Sequence, residues 1–211
     1  MNPHAQPPPP LTIPSIDLGE PQRRELLRIV RDAIRGYLQT GAAPTCATAD
    51  PALMQPAGLF VTLWQWGEDT AVSSRPGAQL RGCIGHIQAD TALVEIAPLM
   101  AVKAAAADPR FPPLQIDELD DTVIEISILS PLTPVADLAQ IEIGVHGLVI
   151  ANAWRRGLLL PQVPGPRGWD AAQFLLAVCH KAGLPPDAWP DQAELYAFTT
   201  TVFDETELPP D

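Results

Sequence analysis

The sequence predicts an α+β fold with a mostly antiparallel sheet packed with helices. Three observations carry this expectation. Strands and helices do not alternate in long βαβ repeats, which argues against a doubly wound parallel sheet. Two strand-like runs, one over Gly58 to Trp66 and one carrying Leu80 to Gly85, follow each other with only a turn between them, as in a hairpin with a long loop. The helix predicted over Ala171 to Ala182 has start and stop signals that agree: Asp170 and Gln173 form a capping box, Trp169 and Phe174 sit where a hydrophobic staple sits, Gly183 supplies the stop and Pro185 blocks continuation.

The remaining elements follow in order. Residues 1–16 read as a Pro-rich disordered or extended tail, because Pro7 to Pro10 favour polyproline II. Residues 17–211 read as a single domain, for which a chain of 211 residues is long enough, with room for a small subdomain. A helix is expected from Pro21 to Gln39, with Leu26, Leu27, Val30, Ile34 and Leu38 at helical spacing. Arg23, Arg24, Arg28, Arg31 and Arg35 fall elsewhere on it and read as a solvated face rather than an anion patch. Gly36 weakens the last turn and Gly41 suits the stop. Residues 41–57 read as loop. The strand over Gly58 to Trp66 alternates Leu59, Val61, Leu63 and Gln65 with Phe60, Thr62, Trp64 and Trp66. After a turn around Gly67–Gly77 and the second strand, a helix is expected from Thr91 to Ala107, with Pro98 bending it or marking its start. Thr122 to Ser130 is the clearest strand. Shorter strands are expected over Leu148–Ala151, Gly157–Leu160 and Leu195–Val202.

Composition narrows the partners. A net charge of −12, from 13 Lys and Arg against 25 Asp and Glu, argues against duplex nucleic acid and against an anionic membrane surface. It leaves room for a local basic pocket, a small-molecule ligand, a basic protein partner or a homodimer. Cys46, Cys83 and Cys179 are an odd number without motif spacing, which suits reduced thiols in a cytoplasmic protein. The N-terminus has no signal-peptide pattern and no apolar run approaches a membrane span. There is no metal-binding spacing, no phosphate-binding loop and no nucleophile elbow. No metal is expected, and the cofactor is unknown.

The stretch Leu80-Arg81-Gly82-Cys83-Ile84-Gly85 holds most of the chemistry. As a regular strand it puts Arg81, Cys83 and Gly85 on one face and Leu80, Gly82, Ile84 and His86 on the other. A guanidinium beside a thiol lowers its pKa, which makes Cys83 a candidate nucleophile or ligand with Arg81 as its cation. A small buried hydrophobe is the equal alternative for Cys83. Gly82 allows close approach of a helix or backbone. His86 points away from Cys83 on this parity, so a base has to come from elsewhere, with His146 and Asp108 the candidates. Asp108 and Arg110, held apart by Pro109, form either a binding corner or a structural bridge. His146, in Gly-Val-His-Gly-Leu, is either a base brought in from a loop or a turn histidine.

Five blocks in order resemble the AMMECR family: Gly58 to Leu63, Leu80 to Gly85, Ala104 to Phe111, Ile124 to Leu129, and Gly157 to Val163 followed by Cys179 to Leu184. The resemblance spans about residues 22–205. It implies an α+β fold with a larger and a smaller subdomain around an antiparallel sheet. It implies a link to a Memo-like protein and a radical S-adenosylmethionine enzyme, in which this chain looks like the A component of the AmmeMemoRadiSam system. The family's activity is not established, and an enzymatic role on a nucleotide or small molecule is suggested for it. By direct match the LRGCIG motif carries over as Arg81, Gly82, Cys83 and Gly85, with Asp108 and Arg110 as neighbours. Two functions follow: an enzyme with a small anionic or nucleotide-like substrate, or a non-catalytic adaptor for the two partner proteins.

Overall fold

The computed structural model describes residues 8–42, 48–66 and 77–208. His4, Cys46, the first residues of the tail and the turn preceding Gly77 lie outside them. The chain forms two compact units, one of residues 17–129 with 201–211, the other of residues 1–16 with 130–200.

The larger unit begins with α1 (Glu20–Thr40), whose second residue is Pro21 and whose C-cap Gly41 takes the left-handed conformation, φ 69°. Gly36 does not interrupt it. Leu26, Leu27, Ile29, Val30, Ala33 and Ile34 are buried. β1 (Gly58–Trp66) pairs antiparallel with β2 (Ala78–His86) and with β3 (Thr122–Leu129). β8 (Thr200–Asp204) completes the sheet, in the order β2-β1-β3-β8. α2 (Leu93–Ala106) runs through Pro98 and packs on β1, β2 and α1.

One face of this sheet supplies the core. Leu59, Val61 and Leu63 of β1 and Ile124, Ile126 and Ile128 of β3 are fully buried. Burying each such side chain stabilises the fold by about 1.5–3 kcal/mol. Gly82 belongs to this face, opposite Leu63. The carbonyl of Ala104 in α2 lies 2.2 Å from where a Cβ on Gly82 would be, so helix and strand meet backbone to backbone.

The arginine face of α1 is only partly solvated. Arg24 pairs with Glu20 and Arg28 with Glu25 and Asp32. Arg31 instead makes a two-pronged pair with Glu205 and donates to the carbonyls of Leu119 and Thr122. Glu205 also accepts from the N–H of Ile124, so this pair ties α1 to β3 and to the turn after β8.

The smaller unit has its own antiparallel sheet, in the order β4-β7-β5-β6: β4 (Thr133–Pro134), β5 (Gly147–Ala151), β6 (Arg156–Leu159) and β7 (Glu194–Phe198). α3 (Ala171–Ala182) packs on β5 and β6, with the Asp170–Gln173 capping box and Gly183 at φ 67°. Cys179 is part of the buried cluster with Phe174, Leu175 and Val178. The run expected as one strand over Leu195–Val202 is two strands in different sheets, divided at Thr199. The described part of the N-terminal segment is irregular rather than free. Leu11 and Ile13 pack on the cluster around α3, and the N–H of Leu11 donates to the Gln140 carbonyl at 3.2 Å.

Candidate functional site

β2 is an edge strand, so the outward backbone groups of Cys83 have no strand to pair with. Two side chains from the corner after α2 take that place. The Cys83 N–H donates to Asp108 Oδ2 at 2.9 Å, and Arg110 Nη2 donates to the Cys83 carbonyl at 3.1 Å. The corner is folded back on its helix by the Leu114 N–H, which donates to the Ala105 carbonyl, and by the buried Leu114 side chain. Asp108 and Arg110 are joined by two further bonds, Nε to Oδ1 at 2.9 Å and Nη2 to Oδ2 at 2.7 Å. Asp108 is buried, its side chain 2% exposed, while that of Arg110 is 53% exposed and lies against the Phe111 ring. The Arg110 guanidinium, helped by the two backbone N–H groups, holds the Asp108 carboxyl well below the usual range, at about 2.

The regular-strand parity of the motif does not hold. β2 shifts register against β1 at Arg81: Leu63 stands opposite Gly82 and Trp64 opposite Leu80, leaving Arg81 without a partner residue in β1. Such an extra residue re-aims the side chains around it. Leu80 therefore shares the Trp64 face, not the Gly82 face. Arg81 does not serve Cys83. Its buried guanidinium makes a two-pronged pair with Glu118, both contacts at 3.0 Å, and donates to the Pro112 carbonyl at 2.8 Å. This pair, with the Gln115 N–H and Gln65, holds the Glu118 carboxyl down at about 2. The cation beside Cys83 is Arg110.

Burial pushes the Cys83 thiol up, and the neighbouring Asp108 and Glu125 charges push the same way. The Thr62 hydroxyl, which donates to Cys83 Sγ at 3.4 Å, and the Arg110 charge oppose this without overcoming it. The expected depressed thiol is thus corrected: Cys83 rests as a neutral thiol at pH 7.

The other residues expected at the site are engaged elsewhere in their own units. Gly82 is filled against α2, and the Phe60 ring lies 2.2 Å from where a Cβ on Gly85 would be, so neither glycine leaves bare backbone on that side for a ligand. His86 stands opposite Leu59, on the alternate face to Cys83, and pairs with Asp90 at 2.7 Å. His146 belongs to the smaller unit. It is buried, its Nδ1 accepts from the Glu142 N–H at 3.0 Å, and its ring has a backbone hydrogen bond with Leu11, so it helps hold the N-terminal segment. Burial pushes its pKa down. The large groove beside α1, about 920 Å³, is lined by Arg24, Arg28, Arg31 and Arg35, each paired with a carboxylate, and by none of the motif residues. Among the described residues no group of three His, Cys, Asp or Glu is placed to hold a metal ion, and no helix is long and apolar enough to cross a membrane.

Sequence reasoning missed Thr62. It stands opposite Cys83 in β2 and opposite Glu125 in β3, so three polar or reactive side chains form one row across the sheet. The available signal was the polar residue in each otherwise apolar alternation.

An α+β protein of two units, with a partly buried thiol on an edge strand clamped by a carboxylate–guanidinium corner, is the class these features define. The chain belongs to the AMMECR1 family, whose model matches residues 27–203. It is 41% identical over 191 residues to Protein MK0488 of Methanopyrus kandleri, covering 86% of this chain and 87% of that one. It is 40% identical over 188 residues to Protein PH0010 of Pyrococcus horikoshii, covering 85% and 88%. The crystal structure of PH0010, described as an uncharacterised protein, superposes with a TM-score of 0.77 at 37% identity over 89% of this chain and 93% of that one.

Proposed function

We propose that this AMMECR1-family chain is an enzyme acting on a small anionic or nucleotide-like substrate, held by Arg110 and attacked by the Cys83 sulfur. The observation that carries the proposal is the state of Arg110. Its Nε and Nη2 are fixed by buried Asp108 and the Cys83 carbonyl, its plane lies against Phe111, and its outer edge reaches solvent with no hydrogen bond to Nη1 among the described residues. A guanidinium fixed on one edge and open on the other is preorganised to bind a carboxylate or phosphate oxygen. The neutral resting thiol means that the nucleophile forms only when a base takes its proton.

Alkylation at Cys83, followed by peptide mass spectrometry, tests this. Iodoacetate carries the anion that Arg110 is proposed to hold and iodoacetamide does not. Relative to a free thiol, Cys83 is expected to favour iodoacetate over iodoacetamide by about tenfold, the effect of one charge-assisted contact. Inorganic phosphate should slow only the iodoacetate reaction. A ratio equal to that of free cysteine contradicts the proposal.

The raised thiol pKa and the wholly structural use of the Cys83 backbone favour one second reading: an adaptor serving a Memo-like protein and a radical S-adenosylmethionine enzyme. On that reading Cys83→Ser retains pull-down of both partners at micromolar concentration. If neither partner is captured by the unmodified chain, the adaptor reading fails.

A further inference from the structure

We propose that His146 is a pH-sensitive latch on the N-terminal segment: as a neutral ring it holds the segment on the smaller unit, and on protonation it lets the segment go. The latch lies wholly within the smaller unit and does not depend on Cys83.

The segment is held by few contacts, and its sequence explains why. Pro8, Pro9, Pro10 and Pro14 have no backbone N–H to donate. Leu11 and Ile13 supply the anchoring instead. Both pack, partly buried, on the cluster around α3, and the Leu11 N–H donates to the Gln140 carbonyl at 3.2 Å. His146, in the turn before β5, adds a hydrogen bond to the Leu11 backbone.

The ring makes that contact in one protonation state. It is 1% exposed, and its Nδ1 accepts from the Glu142 N–H at 3.0 Å. An accepting Nδ1 carries no proton, so the neutral ring has its N–H at Nε2, the nitrogen left to donate to the Leu11 carbonyl. A second proton, taken up at Nδ1 from solvent, sets two N–H donors facing each other and buries a charge. Glu142 is the charged group acting on the ring, and its carboxylate favours the charged form without overcoming burial. Residues 8–16, the Leu138–Gln140 turn and β5 carry no titratable side chain.

Relief comes from the weaker side. The Glu142 turn is closed by the His146 N–H, which donates to the Glu142 carbonyl at 3.0 Å, and β5 is paired on both edges. Residues 8–16 belong to no strand and are the part that yields. Their release returns Leu11 and Ile13 to water and uncovers the apolar surface beneath them. Burial lowers the folded pKa of His146 below its unfolded value. The latch's contribution is therefore whole above the ordinary histidine value of about 6.5 and is lost as pH falls towards the lower folded value.

Methyl NMR of the full chain, from about pH 8 to about pH 4, tests the latch, with the His146 imidazole followed in the same samples. The Leu11 and Ile13 methyl signals are expected to move from packed to random-coil positions with the midpoint of the His146 titration, below about 6.5, while the buried Val178 methyls of α3 stay in place. His146→Asn has a side-chain carbonyl to accept from the Glu142 N–H and cannot gain a proton, so it should hold the segment throughout. Leu11 and Ile13 signals that stay packed down to about pH 4 overturn the proposal. So does a release that Val178 shares, which is unfolding, and so does a release that persists in His146→Asn. If that variant fails to fold, the two midpoints in the unmodified chain decide: a release that does not track the His146 ring overturns the latch.

Discussion

Gly82→Ala is expected to destabilise the larger unit by about 3 kcal/mol, the upper range for forcing extra atoms into a packed interior. The added Cβ would fall 2.2 Å from the Ala104 carbonyl oxygen, which is helix backbone and cannot turn aside as a side chain would. Relief requires α2 to move off β2, and that movement also carries away the corner that delivers Asp108 and Arg110. The urea midpoint should fall with the slope unchanged. Gly36→Ala is the matched control. Its Cβ meets nothing within 4 Å on the surface of α1, so it should gain about 0.5–1 kcal/mol. Equal effects at the two positions would show that the close approach at Gly82 contributes nothing.

Asp108→Asn is expected to cost about 1–3 kcal/mol, the range for breaking a charged hydrogen-bond group. The amide keeps the shape but loses the charge that fixes Arg110, and its NH2 group faces donors from Cys83 and Arg110. The pH dependence identifies the cause. The folded Asp108 carboxyl titrates at about 2, below its unfolded value, so its contribution is fully present above the ordinary carboxylate range and is lost as pH falls through about 2. The difference between the unmodified protein and Asp108→Asn should thus shrink between about pH 4 and pH 2. Glu118, held at about 2 by Arg81, titrates in the same window, so the variant retains part of the acid sensitivity. A difference that stays constant to pH 2 would remove the ion pair as the cause.

Much of the fold was legible from periodicity. Alternation in Thr122 to Ser130 and the signals around Asp170 and Gly183 correspond to β3 and α3 within a residue or so. What was not legible depends on partners distant in sequence. The shift at Arg81 is a property of the β1–β2 pairing, and nothing in the motif's own alternation announces it. That single extra residue exchanges the thiol's cation, from Arg81 next door to Arg110 in the corner after α2. The division at Thr199 is hidden because both halves are apolar and β-prone, and only their different sheets separate them. β4, two residues long and ending in Pro134, has no period to read. Cys83 and the Asp108–Arg110 corner are legible as pieces, but that Thr62 and Glu125 share a row with Cys83 is visible only in the strand register.

The most direct test of a thiol working beside a fixed guanidinium is the ratio of iodoacetate to iodoacetamide labelling at Cys83 in the unmodified chain and in Arg110→Gln. A ratio about tenfold above that of free cysteine is expected in the first and a return to the free-cysteine value in the second. A ratio that is raised in both, or in neither, contradicts it.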